Sequence, residues 1–230
     1  MRKELNVEID REKFYGLEEA LNIIKQTQRA KFIESVDLSL KLGIDPKKPE
    51  QQIRNSFSLP NGSGKKRIIV AIVNEKEKSE AEKAGADFVG GEDIIDKISD
   101  GWLEFDVIVT TPEMMPKMAR VGKLLGTKGL MPNVKVGTVT KEIGKTVEEF
   151  KKGKISFKSD KFGGLNILVG KSNFSLEELK QNVKAFMKYL ISLKPPTSRG
   201  QFIRRVHLSL TMGPSVKLDP LVLQRESSTM

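Results

Sequence analysis

The 230 residues include no cysteine, one histidine and one tryptophan. Without cysteine there is neither a disulfide nor a thiolate metal site, and with His207 as the lone imidazole a Cys-His nucleophile is excluded. A Ser-His-Asp triad would rest on that single ring, which sits in an alternating segment and reads as a strand decoration. Long apolar runs are missing too. None approaches the eighteen or so residues that a membrane span needs, so no membrane partner is expected. The leading stretch "MRKELNVEIDREKF" mixes acids with bases and has no apolar core, so it reads as neither a secretory signal nor a transit peptide.

What is present is an excess of positive charge: 40 Lys and Arg against 30 Asp and Glu, a net charge of +10, in a chain that is 38% hydrophobic. That composition suits a globular protein with an anionic partner. The excess is not uniform. Residues 67–154 carry 15 bases and 15 acids, whereas the two flanks together carry 25 bases and 15 acids. One cationic body beside a neutral one points to a dedicated surface for nucleic acid.

Periodicity separates the same two bodies. In "SVDLSLKLGI", Val36, Leu38, Leu40 and Leu42 alternate with polar residues, and "QIRNSFSLP", "KISFKSDK", "GLNILVG" and "RRVHLSLTMG" repeat the half-buried strand pattern. The last places Val206, Leu208, Leu210 and Met212 on one face. Between them, "RIIVAIV" and "DVIVTT" are continuous β-branched runs, followed by the helical stretches "KEKSEAEKAGA" and "PEMMPKMARVGKLLG", as in a parallel sheet covered on both faces. "LEEALNIIKQTQR" and "IGKTVEEFKKG" also read as helices. The clearest helix is "SLEELKQNVKAFMKYLISLK", with Ser175 and Glu178 as a capping box and Leu179, Val183, Phe186, Met187 and Leu190 in one core stripe. The expected class is α+β with an inserted α/β domain. Residues 1–66 and 155–230 form a split domain with a four-stranded antiparallel sheet, and residues 67–154 form a Rossmann-like parallel-sheet insert.

Two stretches invite a nucleotide. "GKLLGTKGLMPNVKVGTVT" threads glycines and lysines through apolar residues but nowhere gives the G-x-x-x-x-G-K-[ST] spacing that converges backbone amides on a phosphate. "GGLNILVGKS" has five residues between Gly164 and Gly170, and Leu165, Ile167 and Val169 alternate like a strand. "PNGSGKKR" precedes a strand and reads as a hinge between domains. The acidic pairs Glu18-Glu19, Glu92-Asp93 and Glu148-Glu149 fit helix starts or solvated faces better than paired catalytic carboxylates. No enzyme and no cofactor are therefore expected. The rivals are a nucleotide-dependent enzyme on the insert and a DNA-binding architectural protein, the latter disfavoured by the neutral insert.

"AKFIES" and "SLTMGPSVKLD" bracket the split domain, and each sets an apolar group, Phe32 or Met212, among polar and basic neighbours. Such groups stack on bases and sugars, although Phe32 suits a core and Met212 an inward strand end equally well. Together with "GKLLGTKGLMPNVKVGTVT" and "FKSDKFGGLNILVGKSNF", these blocks resemble the bacterial-type ribosomal protein one family of the large subunit, in order from about Leu17 to Asp219. The resemblance implies a split domain that binds a stalk hairpin of large-subunit rRNA. It also implies a mobile stalk that escorts deacylated exit-site tRNA, and repression of translation through the protein's own mRNA. It further implies a protein that is monomeric when free and works on a cytoplasmic ribosome, with an organellar one not excluded. Carried onto this chain, the RNA surface would comprise Lys31, Phe32, Ser35, Asp160, Lys161, Asn166, Thr211, Met212, Gly213 and Pro214. The family often has histidine at the place of Asn166, proline at that of Val134 and arginine at that of Lys128. The end "LVLQRESSTM" extends beyond the shared blocks.

Overall fold

The computed structural model describes residues 9, 10, 12–198 and 200–228. Most of the leading stretch read above for targeting signals, and the last two residues of the tail, lie outside the described residues. In chain order the first part contains α1 (Leu17–Gln26), β1 (Ser35–Leu42) and β2 (Arg54–Ser58). Next come β3 (Ile69–Ile72), α2 (Glu75–Lys83), β4 (Phe88–Gly90), α3 (Glu92–Ser99) and β5 (Val107–Thr110). Then follow α4 (Met115–Met118), α5 (Gly122–Lys128), α6 (Ile143–Lys151) and β6 (Lys154–Lys158). The chain closes with β7 (Gly164–Lys171), α7 (Leu176–Ser192), β8 (Ile203–Leu210), β9 (Ser215–Leu218) and α8 (Pro220–Ser228). Two compact units result, one from the residues up to Gly64 and from Ile155 onward, the other from Lys65–Lys154.

The discontinuous unit is built on a four-stranded antiparallel sheet of order β7-β1-β8-β9. Alternation in β1 buries Val36, Leu38, Leu40 and Leu42, and β8 does the same with Val206, Leu208 and Leu210. This apolar face packs under α1, α7 and α8. Strands β2 and β6 form a separate two-stranded ribbon, so two of the half-buried segments lie outside the main sheet. The fourth strand is instead β9, a four-residue segment too short to show a period. Met212 also departs from its expected place. β8 ends at Leu210, and Met212 is 68% exposed in the turn that follows.

Helix α7 begins at the capping box expected for it: Ser175 Oγ accepts from Glu178 N, and Glu178 Oε2 accepts from Ser175 N at 2.7 Å. Its inner stripe is fully buried, and Phe186 meets Phe57 and Phe157 edge-on at 5.9 and 5.3 Å. Asn182 is the polar exception, wholly buried on α7. Its Oδ1 accepts from Asn61 N at 3.0 Å, and its Nδ2 donates to Gly62 O at 3.1 Å and Val169 O at 2.8 Å. The "PNGSG" turn, read from sequence as a hinge, is thereby fastened to the helix through Asn61 and Gly62.

The Lys65–Lys154 unit has a parallel three-stranded sheet of order β4-β3-β5. Val70, Ile72 and Ile108 join Ile94, Ile98 and Leu125 in a core on one side, while Ile69, Ala71, Val107 and Val109 join Val147 and Phe150 on the other. Burial on both faces accounts for the unbroken β-branched runs. The three-residue β4 escaped the sequence, and α3 was legible only at its start, where the acidic pair Glu92-Asp93 forms the first turn. The expected helix after Pro112 is divided into α4, a 3₁₀ turn over Ala119–Val121 and α5.

Replacing Asn182 by alanine leaves three backbone groups of the clamp without their partner. The expected loss is about 3 kcal/mol of unfolding free energy in urea, at an unchanged m-value. A loss below about 1 kcal/mol would show that the turn finds other partners.

Candidate nucleic-acid interface

Helices cover one face of the four-stranded sheet, and the other face carries the polar half of each strand. Register fixes its rows across the sheet. Lys171 lies beside Ser35; Leu168, Asp37, Ser209 and Ser215 follow; then Asn166, Ser39, His207 and Lys217; then Gly164, Lys41 and Arg205. At about 6.6 Å between alternate residues, the face runs roughly 20 Å from Ser35 to Lys41.

Seven of the expected site residues gather at the Ser35 end. Ser35 N donates to Thr211 Oγ1 at 3.0 Å, Thr211 N donates to Ser35 O at 3.1 Å, and Lys171 Nζ donates to Ser35 Oγ at 2.9 Å. The approach to β1 is held from below. Glu34 is wholly buried, its Oε1 accepts from Ala30 N at 3.2 Å, and its backbone exchanges hydrogen bonds with Ser172. On this rigid rim Lys31 and Phe32 stand out, Phe32 being 55% exposed, and Met212 projects from the adjoining turn ahead of Gly213 and Pro214. Exposure decides against a core role for Phe32. Gly213 has a local reason as well, since a Cβ there would meet Leu210 Cβ at 3.1 Å.

The other three residues lie elsewhere on the same face. Asn166 is exposed in the third row, and Asp160 and Lys161 occupy the β6–β7 turn beyond the Lys41 end. Asp160 Oδ1 accepts from Phe162 N at 2.7 Å and Gly164 N at 2.6 Å, and these bonds hold its carboxyl below the usual carboxylate range. Asp160 therefore shapes the turn. The expected surface is a strip along the sheet, not one cluster.

Sequence reasoning missed several groups. Phe162, at the tip of that turn, is 77% exposed, and Lys41 Nζ donates to its carbonyl. A large apolar residue between an aspartate and two glycines was the available signal. Lys217 Nζ sits 4.1 Å from the Phe14 ring centroid, a cation–π pair whose partners are far apart in sequence.

Charge is segregated by face. The ion pairs seen in this unit, Lys13–Glu19, Lys180–Glu18 and Lys184–Glu226, involve α1, α7, α8 and the approach to α1. Among the described residues, Lys31, Lys41, Lys161, Lys171, Arg204, Arg205 and Lys217 have no ion-pair partner. Asp37 is the sole acid in the strand rows, and burial raises its carboxyl above the ordinary value. His207 is pushed below its ordinary 6.5, first by burial and then by Lys217 and Arg205.

Neither nucleotide motif forms a phosphate loop. "GGLNILVGKS" is mainly β7, with buried Leu165, Ile167 and Val169. "GKLLGTKGLMPNVKVGTVT" is α5, a stop at Gly129 in the left-handed conformation, and a 3₁₀ turn capped by Asn133. Lys123, Lys128 and Lys135 along it are exposed. Among the described residues no three His, Asp or Glu side chains converge as metal ligands, and no helix is long and apolar enough to cross a membrane.

The class so defined is a two-unit α+β protein whose discontinuous unit presents an open, cationic sheet face. Residues 24–214 match the Ribosomal protein L1p/L10e family, and the chain belongs to that family. Similar curated relatives are each described as large ribosomal subunit protein uL1. The one from Mesoplasma florum is 48% identical, covering 92% of this chain and 93% of its own length. Those from Flavobacterium psychrophilum and Chlamydia pneumoniae are 46% and 47% identical, covering 95% and 91% of this chain and 96% and 90% of theirs.

Because His207 is neutral in the fold at a pH where an unfolded imidazole is protonated, the unfolded chain binds more protons just below pH 6.5. Stability is then lost as pH falls from about 6.5 toward the lower folded value. Denaturation followed between pH 7.5 and 5 should show this slope in the wild type and a shallower one in His207→Gln.

Proposed function

We propose that the protein is a structural constituent of the large ribosomal subunit and that its discontinuous unit binds a stalk hairpin of large-subunit rRNA. The observation that carries this reading is the Ser35 rim, where exposed Phe32 and Met212 stand on a hydrogen-bonded base beside Lys31 and Lys171, neither of which has an ion-pair partner among the described residues. A rigid apolar pair suits the shallow groove and splayed bases of folded RNA, and the lysines neutralise phosphates without reading sequence. Lys31, Phe32, Ser35, Thr211, Met212, Gly213 and Pro214 form one contact region. Asn166, with Asp160 and Lys161 shaping and charging the far turn, forms a second along the same helix of RNA.

The Lys65–Lys154 unit, with exposed Lys123, Lys128 and Lys135, takes the part of a neutral companion at the tRNA exit site, where the stalk escorts deacylated tRNA. Repression of the protein's own messenger follows if that RNA presents a hairpin of the same shape to the same strip. A role on the ribosome gives the chain a cytoplasmic location, with an organellar ribosome as the alternative. Family membership supports each of these roles.

Titration of the stalk hairpin against duplex DNA of equal length, over a salt series, tests the reading, with RNA favoured by orders of magnitude. Met212→Ala and Phe32→Ala should each lose about 1–3 kcal/mol of hairpin affinity while folding normally. Thr211→Ala should also weaken binding, and Thr211→Ser, which retains the acceptor for Ser35 N, should recover it. Lys161→Ala should lower the salt slope by roughly 0.7–0.9. Equal binding by the wild type and these variants would sink the assignment.

A further inference from the structure

Strand β8 contains an irregularity with a consequence for charge. Lys41 is opposite Arg205 but Leu42 is opposite Ile203, so Arg204 is an extra residue in the ladder. A bulge of this kind re-aims a side chain, and here two consecutive arginines, Arg204 and Arg205, are both exposed. Arg205 stays on the polar face of the sheet. Arg204 lines both the concavity of about 500 Å³ over Ser39, Lys41 and His207 and a separate cleft of about 730 Å³ beyond the sheet end.

We infer that this second cleft, between the segment from Gly43 to Gln51 on one side and Pro196, Thr197 and Arg204 on the other, is a phosphate-binding extension of the RNA surface. Lys48 and Arg204 hold the sugar-phosphate backbone of RNA that has passed along the sheet. The inference rests on the rRNA-binding reading above and adds a site to it.

The walls of the cleft are fixed. Gln51 is buried and bridges them, its Oε1 accepting from Asp45 N at 2.7 Å and its Nε2 donating to Thr197 O at 3.2 Å. Ser198 Oγ donates to Gly43 O at 2.9 Å, and Gly43 N donates to Phe202 O at 2.6 Å. Gly43 is compressed against the second wall: a Cβ there would lie 2.2 Å from Gln201 O and 3.2 Å from Arg204 Nε. A cleft built this way is preorganised, so a ligand does not bear the cost of ordering it.

Its chemistry selects backbone over base. The lining holds no aromatic ring on which a base could stack. Among the described residues neither Lys48 nor Arg204 has an ion-pair partner. Asp45 is the one acid in the lining, and its Oδ1 accepts from Lys47 N within its own turn. A guanidinium without an ion-pair partner among the described residues, set opposite a lysine, matches phosphate oxygens in both charge and geometry. Arg204 makes the two concavities continuous for a polyanion.

The test uses the full chain and an RNA carrying the stalk hairpin with both flanking helices, titrated over a salt series. Lys48→Ala and Arg204→Ala should each lower the slope of log K against log salt by roughly 0.7–0.9, and together by about twice that, with thermal midpoints unchanged. Arg204→Lys should keep the wild-type slope. If the wild type binds this RNA but the double variant keeps its slope and affinity, the cleft is not a phosphate site and the rRNA reading stands. Loss of slope in Arg204→Lys equal to that in Arg204→Ala would also overturn the proposal, because a charge contact survives that change. A wild type that ignores the RNA would overturn both this site and the reading beneath it.

Discussion

The discontinuous unit depends on a long-range pairing: β1, one of the two inner strands, hydrogen-bonds to β7 and β8, both of which follow the whole Lys65–Lys154 unit in the chain. The Ser35 rim shows how far this reaches, since Ser35 is linked to Lys171 across 136 positions and to Thr211 across 176. Everything on the open face inherits its place from this ladder. The side-chain period of two sends the leucines and valines under the helices and leaves Asp37, Ser39 and Lys41 in register with the polar residues of the neighbouring strands.

Burial then accounts for the separation of charge. On the helical side, lysines and glutamates lie close enough to neutralise one another, and such exposed pairs contribute little to stability. On the sheet face the cations project beside histidine, serine and asparagine, with one acid among the rows. This arrangement sets cations without ion-pair partners among the described residues on a hydrogen-bonded sheet, as an electrostatic surface for a polyanion requires. The family match and the geometry bear on different parts of the argument. The first identifies the lineage; the second shows which atoms of this chain are accessible.

Much of the fold was legible because its signals are periodic. The alternation of β1 and β8, the unbroken runs of β3 and β5 and the capping box of α7 all declare themselves within a few residues. What was not legible is short or depends on tertiary context. β9 and β4 have four and three residues, fewer than a pattern needs. The strand pattern continued through Met212, but the chain turns at Leu210, and only the turn decides that this side chain faces water. Glu34 has no signature at all in "KFIES", because its role is defined by Ala30 N and by the neighbouring Ser172. The doublet Arg204-Arg205 did carry a signal: two exposed cations in succession within an alternating strand mark an extra residue in the ladder.

The order in which these strands occur also bears on how the molecule is made. The contiguous Lys65–Lys154 unit can complete its core while synthesis is still in progress, but β1 leaves the polymerising machinery about 170 residues ahead of the end of β8. At about 5–20 residues per second, the edge of β1 that β8 covers stays unpaired for roughly ten to thirty seconds, and the edge that β7 covers for somewhat less. A nascent chain halted between Lys154 and β7 presents a finished α/β body attached to an unmated β1, a species for chaperones and proteases, with no assembled sheet face to compete with the mature protein.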